Sequence, residues 1–234
     1  MSIKTQLPTP FRALIIGSSG AIGSSFLKIL QSNPNCERVI GIHRNSNPAI
    51  DYNHVESIQL ASEVLSKEPP FHLIINCIGV LHDASIKPEK KLGNLEINSL
   101  RTLMDINAFG PALTIKHFID LISASGGIFA TLSAKVGSIE DNRLGGWYGY
   151  RTSKAALNML IKTASIELSR THPHVSVIAM HPGTVQSQLS EPFGGAKLGR
   201  PAQQAAEEMF EVFSHLPHGV SGQFLSYQGV QIPW

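Results

Sequence analysis

Tyr150 and Lys154 stand four residues apart in Gly146-Trp147-Tyr148-Gly149-Tyr150-Arg151-Thr152-Ser153-Lys154-Ala155-Ala156, at the head of an apolar helical stretch that runs on through Leu168. On a helix this spacing puts both side chains on one face. A phenol titrates near 10, so it exchanges protons around neutrality only with help, and a neighbouring ammonium supplies that help. At about 4 Å and an effective dielectric near 20 the attraction is roughly 4 kcal/mol, or about three pKa units, enough to bring a tyrosine near 7. Read alone, the two are also an ordinary helical pair. Their meaning depends on what else the chain carries.

Near the start, the apolar run 13–16 is followed by Gly17-Ser18-Ser19-Gly20-Ala21-Ile22-Gly23 and then by a helical pattern from Ser24 to Leu30. Strand, glycine turn and helix in this order form a phosphate cradle: positions without a side chain let the backbone approach a pyrophosphate, and the helix N-terminus offers free N–H donors and a positive dipole end. Gly17, Ser18, Ser19, Gly20, Ile22 and Gly23 are the candidate contacts. A second apolar run ends about 20 residues further on in Gly41-Ile42-His43-Arg44, where an NAD site would place a carboxylate for the ribose 2′-hydroxyl. Arg44 instead offers a planar fork for a 2′-phosphate, which favours NADP(H) over NAD(H), unless it is simply a solvated charge at a strand end.

The elements that must position these groups are short, continuously apolar runs at 13–16, 39–42, 73–75, 128–132 and 175–180, the pattern of strands buried on both faces. Helix-like segments at 21–31, 95–122 and 151–170 alternate with them. The expected fold is α/β: a single-domain Rossmann fold over 1–234, a doubly wound parallel sheet of about seven strands with helices on both faces, counting 57–60 and 222–227 as strands. Residues 1–11, with Pro8 and Pro10, read as a loose lead-in. The Gly- and Pro-rich stretch 187–201 reads as a substrate loop.

With 19 basic and 17 acidic side chains the net charge is only +2, and no basic stripe accompanies it, so nucleic acid is not an expected partner. The apolar runs fall far short of the roughly 20 residues of a membrane-spanning helix, and Met1-Ser2-Ile3-Lys4 carries no signal-peptide pattern. A cytoplasmic protein without a membrane partner is the expectation. Cys36 and Cys77 are the only thiols, and neither they nor the ten histidines show metal-ligand spacing. No metal site is expected.

The glycine turn, Arg44 and the Tyr150-x-x-x-Lys154 pair together resemble the short-chain dehydrogenase/reductase family, over nearly the whole chain from Arg12 to Trp234. The segment 145–159 and the ending Gly229-Val230-Gln231-Ile232-Pro233-Trp234 look like its carbonyl-reductase branch of C-factor-like and sniffer-like proteins. The resemblance implies further roles. Asn76 and Gly79 in Asn76-Cys77-Ile78-Gly79 match the family's Asn-Asn-Ala-Gly segment beside the adenine and ribose, although only the first and last positions agree. Asn107 matches the helix asparagine that holds a water in the proton relay. Pro182, Gly183, Val185 and Ser187 match the segment that holds the nicotinamide carboxamide, with Ser187 where threonine is commoner.

One departure is serious. The family places a catalytic serine three residues before a glycine, and counting back from Gly137 gives Ala134. Ser133 stands one residue earlier. A one-residue shift along a strand turns a side chain to the other face unless a bulge restores it. Ser133 is the candidate for that role, and an active site without an orienting serine is the alternative.

These readings predict an NADP(H)-dependent oxidoreductase acting on a small carbonyl or alcohol. The catalytic set is Tyr150 as general acid/base, Lys154 as its modulator and ribose ligand, Asn107 in the relay and Ser133 on the carbonyl. The rival reading is an NADP(H)-binding sensor or signalling protein with little turnover, favoured by Ala134. A sugar-nucleotide epimerase, the third reading, is not expected, since roughly 50 residues follow Pro182, too few for a substrate domain. Leu144, Trp147 and Phe193 hint at an apolar or aromatic substrate. Apolar residues such as Leu157, Met159, Leu160 and Ile161, beyond one helix face, predict a homodimer or homotetramer, as the family implies.

Overall fold

The continuous apolar runs become strands because helices cover both of their faces. In the computed structural model, which describes residues 6–234, six parallel strands form one sheet: β1 (Phe11–Ile16), β2 (Cys36–Ile42), β3 (Leu73–Asn76), β4 (Gly127–Leu132), β5 (Val175–His181) and β6 (Phe224–Ser226), in the order β2-β1-β3-β4-β5-β6. Alternate residues feed two cores. Leu14, Ile16, Ile74, Phe129 and Val177 face one side, and Ala13, Ile15, Ile75, Ile128 and Ile178 face the other. All ten are fully buried, each larger side chain contributing about 1.5–3 kcal/mol of transfer free energy.

On the second side lie α1 (Ala21–Gln31) and α7 (Ala202–Ser214), joined through stacked Phe26 and Phe213, whose centroids are 6.2 Å apart. On the first side lie α2 (Glu56–Leu65), α4 (Gly110–Phe118) and the long α5 (Tyr148–Thr171). A shorter helix, α3 (Ile97–Met104), runs through a π-helical turn at Asp105–Phe109 into α4, so the segment expected as one helix over 95–122 is broken at Asn107. Reversal of strand order between β1 and β3 leaves a crevice at their carboxyl ends, where open α/β sheets bind ligands.

The sheet has six strands rather than seven. The stretch 57–60 lies inside α2, because Ile58, Ala61, Ser62 and Leu65 are buried at spacings of three and four, a helical period. Of the expected lead-in, residues 1–5 lie outside the described residues. Gln6 and Leu7 are buried, with the Gln6 amide donating to the Gly127 and His174 carbonyls. Leu157 and Ile161, expected on an outer face, are core residues, whereas Met159 is 66 % exposed. Among the described residues no helix is long and apolar enough to cross a membrane.

Candidate active site

The glycine turn joins β1 to α1. Gly17 has φ +82°, and a Cβ on it would lie 2.9 Å from Ile78 Cγ1; one on Gly23 would lie 2.2 Å from the Gly17 carbonyl oxygen. Only glycine fits either place. The Gly17 and Ser18 N–H groups donate to the Ile42 carbonyl at 2.8 and 3.1 Å, tying the turn to the end of β2. No side chain caps α1 at Gly20 and no acidic residue occupies its first turn, so its positive end is open to an anion. This donor set fits a pyrophosphate. Ser19 and Gly20 are exposed, Ser18 is buried and Ile22 lines the adjoining cavity. Two residues past β2, Arg44 is exposed, with no hydrogen bond or ion pair to another described residue.

A cavity of about 440 Å³ opens beside this turn. It takes in Ile22, Ile78, Gly79, Ser133, Ala134, Tyr150, Lys154, Pro182, Gly183, Val185 and Ser187, so the structure gathers most of the sequence-derived candidates around one space. Its remaining wall is largely apolar: Leu81, Trp147, Leu189, Phe193 and Leu198. Trp147 meets Phe193 at 5.0 Å between centroids. Leu144, expected with these aromatics, is instead 93 % exposed and outside the cavity.

Tyr150 and Lys154, one turn apart at the start of α5, are both buried. Lys154 Nζ donates to the Leu132 carbonyl at 2.9 Å and stands 5.9 Å from the Tyr150 ring centroid. Burial pushes the tyrosine up and the lysine down to about 8. This differs from the fall toward 7 expected for the phenol. The ammonium is engaged by a carbonyl and both groups are out of water, so desolvation governs the phenol.

Asn107, fully buried in the π-helical turn, donates to the Val80 carbonyl at 2.7 Å and Ser153 Oγ at 3.1 Å, and accepts from Val80 N–H at 2.8 Å. The amide is a brace for the 79–80 segment. Gly79 packs so closely that a Cβ there would lie 3.3 Å from Asn107 Oδ1 and 3.4 Å from Lys154 Nζ. Asn76 is likewise spent internally, donating to Tyr52 Oη at 2.7 Å and accepting from Ile78 N–H at 3.1 Å.

Beyond the end of β4, Ser133 and Ala134 both line the cavity, but the Ser133 hydroxyl donates to Asn158 Oδ1 of α5 at 2.7 Å. The backbone turn at Gly183, with φ +74°, is held by Arg200, whose guanidinium donates to the Pro182 carbonyl and lies 3.5 Å over the Tyr227 ring. Ser187 Oγ faces Val185 O at 3.4 Å and Ser190 Oγ at 3.3 Å. Thr184 and Gln186 pair with Arg200 through the backbone, closing the loop between them, which folds into a short helix α6 (Gly195–Leu198).

Sequence reasoning missed His181, Arg200, Arg151 and Glu89. His181 is part of the cavity wall, with Nδ1 buried and unpartnered among the described residues; burial, followed by the Lys135 and Arg200 charges, pushes it down to about 4. Glu89 stands in Lys87-Pro88-Glu89-Lys90-Lys91, where nothing in the local pattern sets it apart from a solvated charge run. Its carboxylate proves buried.

A doubly wound sheet, an open helix N-terminus at its crevice and a buried tyrosine–lysine pair in one cavity define a dinucleotide-binding oxidoreductase. Residues 50–197 match the family model described as short chain dehydrogenase. A curated relative, 1-hydroxy-2-glutathionyl-2-methyl-3-butene dehydrogenase of Rhodococcus sp. (strain AD45), is 30% identical over 187 residues, covering 80% of this chain and 79% of that one. Among solved structures, carbonyl reductase Sniffer of D. melanogaster superposes with a TM-score of 0.83 at 20% identity, over 97% of this chain and 100% of that one. The NADPH-bound carbonyl reductase from chicken fatty liver gives 0.78 at 23% identity, with the same coverages. The chain belongs to the short-chain dehydrogenase/reductase family.

Proposed function

We propose that this protein is an NADP(H)-dependent reductase of small carbonyl compounds in which Tyr150 gives a proton to the carbonyl oxygen. The observation that carries the reading is the burial of Tyr150 and Lys154 in the wall of the cavity that continues from the open glycine turn. Gly17, Ser18, Ser19, Gly20, Ile22 and Gly23 would hold the pyrophosphate, and Arg44 the 2′-phosphate. Gly79, Pro182, Gly183, Val185 and Ser187 would border the riboses and nicotinamide, with Asn76 holding the turn that leads to Gly79. When bound, the dihydronicotinamide supplies the hydride.

The protein's own part is proton delivery and orientation. Burial keeps the Tyr150 phenol protonated at neutral pH, which is the state a proton donor to a ketone needs. Lys154, with its pKa lowered to about 8, would return that proton from its ammonium and hold a ribose hydroxyl. Asn107 fixes Gly79 and Val80 against Lys154 and so acts as a positioning residue. Ser133 is the candidate group on the substrate carbonyl, although its proton is given to Asn158. The apolar wall of Leu81, Trp147, Phe193 and Leu198 favours apolar or aromatic substrates.

Loss of NADPH absorbance against a panel of ketones, aldehydes and quinones tests the reading. Wild type should consume NADPH with at least one of them, and Tyr150→Phe should bind NADPH as tightly yet lose turnover. Equal inertness of the two proteins, both binding cofactor, would support the second reading, an NADP(H) sensor, which Ala134 in place of the family's serine favours.

A further inference from the structure

The residues entering α5 form a turn of the wrong hand. Gly145, Gly146 and Trp147 have φ of +62°, +65° and +53° in succession, and Trp147 is the only non-glycine residue with positive φ among those described. For a bulky aromatic this backbone is strained and persists only where its surroundings hold it. Two charged residues do so from opposite sides. Glu89, 3 % exposed, accepts Trp147 N–H on its backbone carbonyl and Gly149 N–H on Oε2 at 3.1 Å. Arg151 gives its guanidinium to the carbonyls of Gly146 at 2.9 Å, Gly145 at 3.1 Å and Val136 at 3.2 Å.

The clamp sorts the backbone by polarity. The carboxylate takes the Gly149 N–H at the positive end of α5, where an anion is favoured, and the guanidinium takes the Gly145 and Gly146 carbonyls of the left-handed turn. Space enforces the fit as well, since a Cβ on Gly149 would lie 2.9 Å from Glu89 Oε1. What is being held matters for chemistry. The turn carries the Trp147 indole to within 6.3 Å of the Tyr150 ring and 5.0 Å of Phe193, in the wall of the cavity.

We infer that Glu89 and Arg151 are positioning residues that clamp the left-handed turn, fixing Trp147 as the substrate wall and setting the Tyr150 hydroxyl in register with the substrate carbonyl. The inference rests on the reductase reading for its catalytic consequence but not for its structural one, and the two are read separately. The chain has two tryptophans, so Trp234→Phe leaves Trp147 as the sole indole fluorophore.

In that background, Glu89→Ala and Arg151→Met should each raise acrylamide quenching of Trp147 about twofold while the far-ultraviolet circular dichroism is kept. With NADPH and 4-nitrobenzaldehyde they should lower kcat about tenfold or more, with KM rising less, the expected cost of misplacing a proton donor by about 1 Å. Glu89→Gln, whose amide oxygen can turn into the place of Oε2, should recover most of both readouts; Glu89→Asp, one methylene too short for Gly149, should not. The Asp and Gln variants alone decide the matter if the Ala variant does not fold. Unchanged quenching and kcat in folded Glu89→Ala or Glu89→Asp protein would overturn the clamp. Loosened Trp147 in these variants alongside a wild type that binds NADPH but turns over none of the carbonyl panel would leave the clamp standing and overturn the reductase reading.

Discussion

Lys154 Nζ sits 5.9 Å from the centre of the Tyr150 ring and is hydrogen-bonded to the last carbonyl of β4, that of Leu132. The lysine is thus anchored to the sheet by its ammonium. With both groups out of water, the phenol is pushed up and the ammonium down to about 8.

A pH profile of the reductive reaction should therefore show one alkaline limb near 8, belonging to Lys154, with the rate falling up to tenfold per pH unit beyond it. A rate that stays flat well above pH 8 would remove Lys154 from the proton path. The same shift has a signed effect on stability. The folded lysine binds its proton less tightly than at the reference 10.5, so its contribution is fully present above about 10.5 and is lost as pH falls through about 8.

Ala134→Ser should raise kcat/KM about tenfold or more by restoring a hydroxyl at the family's serine position, since one preorganised donor is worth up to about a hundredfold or more. Ser133→Ala acts differently. It leaves Asn158 Oδ1 buried without its donor, which costs about 1–3 kcal/mol in chemical denaturation. A fall in kcat/KM of a hundredfold in Ser133→Ala at unchanged fold would instead make Ser133 the carbonyl ligand.

Arg44 is the candidate 2′-phosphate fork. Arg44→Asp should weaken NADPH about tenfold or more and strengthen NADH, as titrated by quenching of protein fluorescence, because the exchange replaces a bidentate cation with a ribose acceptor. An unchanged NADPH-to-NADH ratio would show Arg44 to be a bystander.

His181 predicts an acid limb in stability. Its folded value of about 4 lies below the unfolded 6.5, so the folded chain binds fewer protons between them. The stability it contributes is present above 6.5 and is lost as pH falls through about 4, on the order of 3 kcal/mol in all. Urea midpoints across this range should fall less steeply with acidification in His181→Asn. Parallel curves for the two proteins would assign the limb elsewhere.

Met159 and Ile166 on α5, with Phe109 at the π-helical turn, are 66 %, 52 % and 47 % exposed, an apolar surface beyond what one sheet can cover. Light scattering at micromolar concentration should give at least a dimer mass, and Met159→Glu should shift it toward the monomer. A monomer mass for the wild type would contradict this.

Much of the architecture was legible in the sequence. The apolar runs are continuous because helices cover both faces of the sheet, and the glycine turn announces itself because Gly17 and Gly23 have no room for a Cβ. Short segments were less legible. Residues 57–60 could be strand or helix on local pattern, and only the packing of Ile58, Ala61 and Leu65 as one helical face decided for α2.

The identities and order of Tyr150, Lys154, Arg44 and the glycines were fixed by the chain itself, since each is a local match of residue type to chemistry. Folding alone decided the environments. Whether burial or a cation governs a phenol, whether the Ser133 hydroxyl faces Asn158 or the cavity, and whether Glu89 meets Gly149 from 60 residues away all depend on contacts between elements distant in sequence. Desolvation and hydrogen-bond direction are properties of those contacts, and no local pattern encodes them.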